Sequence, residues 1–398
     1  MKFISNIKFK EYFIISLITF ILIETILQIS IRKGIIKIHN ILNFTNISEK
    51  EFNEYLKFRD NDLGWPSKLA HGKLFNKYGY RNIPNTNRNR DNKACISIFG
   101  DSQGYGLEVT DKQSWSNVLS NILDCKVENY SVPAYGTDQA FLRFRKIMPN
   151  SEYILMTFID DNLRRNFIQF WDLEFGKIYI ERTKPRFMII NNKLKLKKLP
   201  INNYNQMKKI NNFDFSDVMK YETFVPNSKI YKTAYKLPRF SYTYSLIKIS
   251  LKNVLTTYKN TNFIKKTFLY RFTDTRERFQ TSSSKSIKLQ VEILKKYINL
   301  CNQENKKCLI LRLSMDFVNP EKERVNSIAN AIENDPSLTS KVISGNFMAR
   351  CIKDNLINQG VNKNKLDIRM DGGHYGVETN KAIGECLSEE LKPVLFKN

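Results

Sequence analysis

One stretch of the chain is apolar without interruption, and the rest alternates. Tyr12–Ile31 reads YFIISLITFILIETILQISI, with Glu24 its one charge. At about 1.5 Å per residue a helix of that length crosses a hydrocarbon core of about 30 Å. Arg32 and Lys33 follow directly and no small-x-small cleavage site is seen. The expectation is therefore a signal anchor, not a removed leader. Glu24 is costly near mid-membrane unless protonated or paired. Lys2, Lys8 and Lys10 precede the span and Arg32, Lys33 and Lys37 follow it, so charge does not choose an orientation.

Beyond a polar, Asn-rich segment, short apolar runs alternate with helical periodicity. Cys95–Phe99, Lys126–Tyr130, Tyr153–Phe158 and Cys308–Leu313 read as buried strands. Between and after them, Gln113–Leu123, Thr137–Met148, Ser284–Asn302 and Thr379–Leu391 place apolar residues on one helical face. Strands alternating with amphipathic helices predict an α/β fold with a parallel sheet. The middle is less regular; Ile178–Ile180 with Phe187–Leu194 reads as a small hairpin and Tyr244–Thr257 as a helix. The expected organisation is a tail at 1–11, an anchor at 12–31, a stalk and lead-in at 32–92, and a main domain at 93–398 with an insertion at about 166–280.

Composition narrows the chemistry. Lys and Arg total 64 against 39 Asp and Glu, a formal net charge of +25. The cations are spread along the chain and carry no zinc-finger spacing, RNA-binding signature or basic heptads, so nucleic acid is not the expected partner. Three histidines, His39, His71 and His374, argue against an imidazole-rich metal centre, and no cofactor is implied. The six cysteines form no CxxC and are sparse for a disulfide scaffold, so they read as small buried hydrophobes. Cys301 and Cys308 are close enough in sequence to bridge outside the cytoplasm.

The first predicted strand runs into Gly100-Asp101-Ser102-Gln103-Gly104. In open α/β sheets, ligands sit at the carboxyl ends of strands, where such a turn presents a serine hydroxyl. A serine nucleophile needs a base, and the base an orienting carboxylate. His374 lies in Asp371-Gly372-Gly373-His374, where the glycines permit a bend that brings the carboxylate to the ring.

Together these blocks resemble the SGNH/GDSL hydrolases. GDSQGYG matches the first block with Ser102 as nucleophile, and DGGH matches the last with Asp371 and His374. Asn129–Gln139 is similar to the second block, and Asp62-Leu63-Gly64-Trp65, Tyr78-Gly79-Tyr80-Arg81 and Lys184-Pro185-Arg186-Phe187 to segments of membrane-anchored bacterial members. The resemblance implies a three-layer, flavodoxin-like domain and an oxyanion hole built from the Ser102 N–H, a backbone N–H of the second block and an Asn side chain of the third. In this chain Ala134 stands at the second-block glycine, with Gly136 two residues on. An N–H donor survives that exchange if φ is negative. In the third block Asp160 stands in direct register with the Asn, and Asn162 serves after a two-residue slip. Asp160 substitutes for Asn only if it is protonated and so able to donate.

The function expected from the resemblance is a membrane-anchored serine esterase removing O-acyl groups from a cell-surface glycan or lipid, with its domain on the outer face. The same triad serves an O-acetyltransferase of a surface polysaccharide, since both pass through an acyl-enzyme. From another class, a binding protein on a decayed hydrolase fold accommodates the altered third block.

Overall fold

The computed structural model describes residues 11–12, 14–26, 47–82, 94–171, 180–211, 284–313, 335–338, 342–361 and 373–396. The chain divides into two units. One comprises Met1–Ser48, Asp172–Tyr179 and Asn205–Gln280. Within it, residues 11–12 and 14–26 are helical and expose Tyr12, Ile14, Ile15, Phe20 and Leu22. Among the described residues no helix is long and apolar enough to cross a membrane. Residues 13 and 27–31 of the expected span lie outside the described residues, as does the helix expected at Tyr244–Thr257.

The other unit comprises Glu49–Trp171, Ile180–Tyr204 and Thr281–Asn398. It opens with a helix the apolar pattern did not single out, α1 (Glu49–Phe58). The parallel α/β core follows as β1 (Ile96–Phe99), the single turn α2 (Ser102–Tyr105), α3 (Trp115–Leu123), β2 (Val127–Asn129), α4 (Thr137–Ile147), β3 (Tyr153–Phe158) and α5 (Asp161–Arg165). A hairpin, β4 (Arg186–Ile190) and β5 (Lys193–Lys197), precedes α6 (Ser284–Gln303), β6 (Lys307–Arg312), β7 (Val342–Ile343), α7 (Gly345–Asn358) and α8 (Val377–Leu395).

The five-stranded sheet runs β2-β1-β3-β6-β7 with every pairing parallel. Both faces are therefore covered by helices, and β1 and β3 are buried along their whole length. On one side α4 and α6 pack Phe141, Phe144, Leu294 and Tyr297 against Phe99, Ile154 and Met156. The Tyr297 hydroxyl reaches the Ile154 carbonyl at 2.7 Å, which makes a buried phenol tolerable. On the other side α3, α7 and α8 pack Trp115, Leu119, Ile352, Ile383 and Leu387 against Ile96, Ile98 and Leu155. The chain leaves β1 for β2 on one side and reaches β3 on the other. The order therefore reverses between β1 and β3, and a crevice opens there at the carboxyl edge.

Of the expected hairpin arm at Ile178–Ile180, residues 178–179 lie outside the described residues and Ile180 opens a 3-10 turn; the hairpin observed pairs Arg186–Ile190 with Lys193–Lys197. Its turn is Asn191-Asn192, with φ of 51° and 57°. Positive φ at both central residues is the type I′ geometry, which matches strand twist, and asparagine tolerates it. That turn residue pair, not the hydrophobic run, sets where the strands meet.

The cysteines are not isolated small hydrophobes. Cys95–Cys125, Cys301–Cys308 and Cys351–Cys386 are disulfide pairs with Cα–Cα distances of 6.0, 6.1 and 5.8 Å. Each ties neighbouring elements of the core: the start of β1 to the approach to β2, the end of α6 to β6, and α7 to α8. Two of these pairs join cysteines about thirty residues apart, a spacing that carries no local signal.

Candidate active site

The turn after β1 is built by close approach. A Cβ on Gly100 would lie 1.9 Å from Thr157 Oγ1, and one on Gly104 2.4 Å from the same atom. Only glycine lets the turn lie against β3 at both positions. Asp101 caps α2 by accepting from the N–H groups of Gln103 at 2.9 Å and Gly104 at 3.3 Å. Asn129 holds the far side. Its amide donates to the Gly104 carbonyl at 2.9 Å and its oxygen accepts from Ser131 N–H at 3.1 Å. Ser102 is thereby fixed as the first residue of α2, at the carboxyl edge of β1 beside the point where strand order reverses.

His374 comes to this edge on the loop before α8. Gln103 Nε2 donates to the Gly373 carbonyl at 3.3 Å, which ties that loop to the nucleophile turn. No hydrogen bond joins Ser102 Oγ to His374 among the described residues. The ring Nδ1 lies 3.0 Å from Oε1 of Glu108. Asp371 lies outside the described residues.

No protein-family model matches the chain, and no curated protein matches it in sequence. Among solved structures it is similar to one from Desulfitobacterium hafniense DCB-2, a protein described as lipolytic and of the G-D-S-L family. The match covers 74% of this chain and 97% of that one, at 10% identity and a TM-score of 0.30. A likeness that loose does not transfer chemistry.

The oxyanion side departs from the sequence reading in three ways. Ala134 has φ of +69°, not the negative value that makes the exchange for glycine free of strain. Asp160 does not present its carboxyl to the crevice as a donor. Arg312 grips both its oxygens, Nε on Oδ1 at 2.8 Å and a terminal nitrogen on Oδ2 at 2.7 Å. With both oxygens accepting from the guanidinium, the carboxyl is engaged as an acceptor and not as a donor. Asn162 is fully buried, with Nδ2 at 3.5 Å from Thr137 Oγ1 and Oδ1 without a hydrogen-bond partner among the described residues. On the other hand, the N–H groups of Ser102, Ala134 and Gly136 find no acceptor among the described residues.

Arginines fill the space behind the turn. Arg165 reaches the Tyr135 carbonyl at 3.1 Å and lies 3.5 Å from Asp101 Oδ2. Its Nε holds Asp161 at 2.8 Å, as does that of Arg164, and both guanidiniums lie over Trp171. Burial pushes Asp161 up, but Arg165 and Arg164 outweigh it and hold the carboxyl well below the usual carboxylate range. Burial also pushes Asp101 up, and there Arg165 only opposes the rise.

Sequence reasoning missed Glu108, Arg312 and Arg165. Arg312 did carry a signal. It is a lone charge ending an apolar strand, and register sets it opposite Phe158, two residues before Asp160. Glu108 and Arg165 carried none.

Proposed function

We propose that this chain is a membrane-anchored serine esterase of the SGNH/GDSL type, cleaving O-acyl groups of a cell-surface glycan or lipid. The observation that carries the reading is the capped turn at the strand-order reversal, with Ser102 at its head and His374 tied to it through Gln103 and Gly373. Ser102 is the nucleophile and His374 takes its proton. Attack on an ester carbonyl forms a tetrahedral oxyanion. The acyl-enzyme then forms as the proton passes to the leaving alkoxide, and water reverses the sequence. The N–H groups of Ser102, Ala134 and Gly136 and the amide of Asn162 are the candidate oxyanion donors. An O-acetyltransferase differs only in the second step, where a sugar hydroxyl replaces water.

The three cysteine pairs support an oxidising compartment, where disulfides persist. With the apolar Tyr12–Ile31 segment, they support a domain on the outer face. An alkaline phosphatase fusion after about residue 60 is expected to be active; an active cytoplasmic reporter at that junction overturns the placement.

A fluorophosphonate label tests the nucleophile. Labelling that is present in the native chain and absent in Ser102→Ala supports the serine enzyme. A native chain that does not label favours the alternative suggested by the Asp160–Arg312 pair, a binding protein on a hydrolase fold. Product analysis with and without a glycan acceptor then separates transfer from hydrolysis.

A further inference from the structure

We propose that Glu108 is the carboxylate that orients His374, the role the sequence resemblance gives to Asp371. The inference rests on the reading of Ser102 and His374 as nucleophile and base. Glu108 Oε1 lies 3.0 Å from Nδ1 of His374. A neutral imidazole carries one N–H, on either nitrogen, and a carboxylate at hydrogen-bond distance from Nδ1 favours placing it there. Nε2 is left with its lone pair for the serine proton.

The loop that carries Glu108 is held on both sides. Arg81, 3% exposed, donates to the carbonyls of Tyr105, Gly106 and Val109 and pairs through Nε with Asp111 at 2.8 Å. Its guanidinium also lies over the Tyr105 ring, 4.5 Å from the centroid. One buried side chain thus fixes the backbone on each side of Glu108. This accounts for the Tyr-Gly-Tyr-Arg segment, which otherwise has no part in the site. Glu108 lies six positions after Ser102, so nucleophile and orienting group stand on one braced turn. The histidine docks onto it from the far end of the chain through the Gln103–Gly373 bond.

Backbone strain points the same way. Glu108 has φ of +74°, a region that glycine or asparagine occupies more easily than glutamate. Glycine at this position removes strain and removes the carboxylate together. Strain retained at a side chain that contacts the proposed base is the pattern expected where the carboxylate serves function. Glu108 acts through His374 and is a positioning residue.

The test uses the full chain in detergent with 15N-labelled histidine. With three histidines the spectrum is short, and His374→Gln assigns the ring. In the native chain Nδ1 is expected to carry the proton, with a low-field proton signal. Glu108→Gln is expected to lose that signal, shift the tautomer toward Nε2–H and lower kcat on the order of a hundredfold or more, with KM little changed. Glu108→Gly is expected to unfold at a higher denaturant concentration than the native chain yet be as inactive as Glu108→Gln. Stability and activity moving in opposite directions is not what a merely structural residue gives. Asp371→Asn is expected to disturb the tautomer less than Glu108→Gln. The proposal is overturned if Asp371→Asn abolishes the Nδ1 proton signal while both Glu108 variants keep it. A native chain that shows the Glu108-dependent signal but does not label with fluorophosphonate leaves the pair intact and rejects the esterase reading instead.

Discussion

The two sides of the crevice are built by different means. On the nucleophile side nearly every constraint is backbone or short range. Gly100 and Gly104 close on Thr157, Asp101 caps its own helix, and Asn129 ties the turn to the next strand. On the oxyanion side the constraints are long side chains from elsewhere. Arg312 holds Asp160 across 152 positions of sequence, and Arg165 links Asp101, Tyr135 and Asp161. A turn made of backbone and small residues is written in a short motif. A site made of ion pairs depends on which charges the fold happens to bring together.

The largest effect should fall on the nucleophile side. Ser102→Ala is expected to reduce ester cleavage by at least about a thousandfold. Its unfolding midpoint should stay near that of the native chain, because the hydroxyl makes no hydrogen bond among the described residues. Cleavage of p-nitrophenyl acetate by Ser102→Ala at the native rate breaks the assignment and removes the contrast between the two sides. His374→Ala should be about as damaging, since members of such a unit fail together.

Asp160→Asn comes next, and its expected signature is stability before rate. Removing one charge leaves Arg312, 6% exposed, without its bidentate acceptor. A loss of about 1–3 kcal/mol is expected, below that of a fully buried pair because Asp160 is partly solvated. Chemical denaturation measures it. A faster ester cleavage with unchanged stability instead places Asp160 at the oxyanion and the Arg312 contact in a minor role. Asn162→Ala sharpens the point: a hundredfold loss in kcat makes its amide an oxyanion donor, whereas loss of stability alone leaves it a packing residue.

This division explains what was legible beforehand. The parallel sheet and the turn after β1 follow from a strand of four buried residues that ends in two glycines and a capping Asp. Tyr153–Phe158 was readable residue by residue because all six positions are buried. What escaped was anything set by pairing at a distance. The hairpin was misplaced because Asn191 and Asn192, not the apolar residues, decide its register. Cys301–Cys308, seven positions apart, was open to a local reading, but the other two pairs were not, because about thirty residues separate Cys95 from Cys125 and Cys351 from Cys386. Val342–Ile343 is too short for any periodicity to show.

The Asp161 cluster yields a pH test of the oxyanion side. The folded carboxyl is held below its unfolded value of about 3.9, so its protonation favours the unfolded chain. Its contribution to stability is complete above the unfolded value and is lost as pH falls through the folded one. Asp161→Asn should therefore be less stable than the native chain at pH 7. The gap should persist to about pH 4 and narrow only below that. A gap that closes between pH 7 and pH 5 means Arg164 and Arg165 do not hold the carboxylate as the ion pairs indicate.

The smallest expected effect sits at Ala134. Its φ of +69° costs an L-residue free energy that glycine does not spend. The position is otherwise ordinary, a half-buried methyl in the loop before α4. Ala134→Gly relieves the strain but also frees the unfolded chain, and the two effects oppose each other. The strain should win, giving a gain of up to about 1 kcal/mol. If the Ala134 N–H contributes to the oxyanion hole, the same substitution leaves that donor in place, so kcat should change by less than about twofold. A stabilised variant with native kcat means the strain is incidental to catalysis. A stabilised variant that loses tenfold in kcat means the methyl, or the rigidity it imposes on Pro133–Tyr135, positions the N–H groups. That would make the oxyanion side, like the Glu108 turn, a place where strain is kept for the sake of geometry.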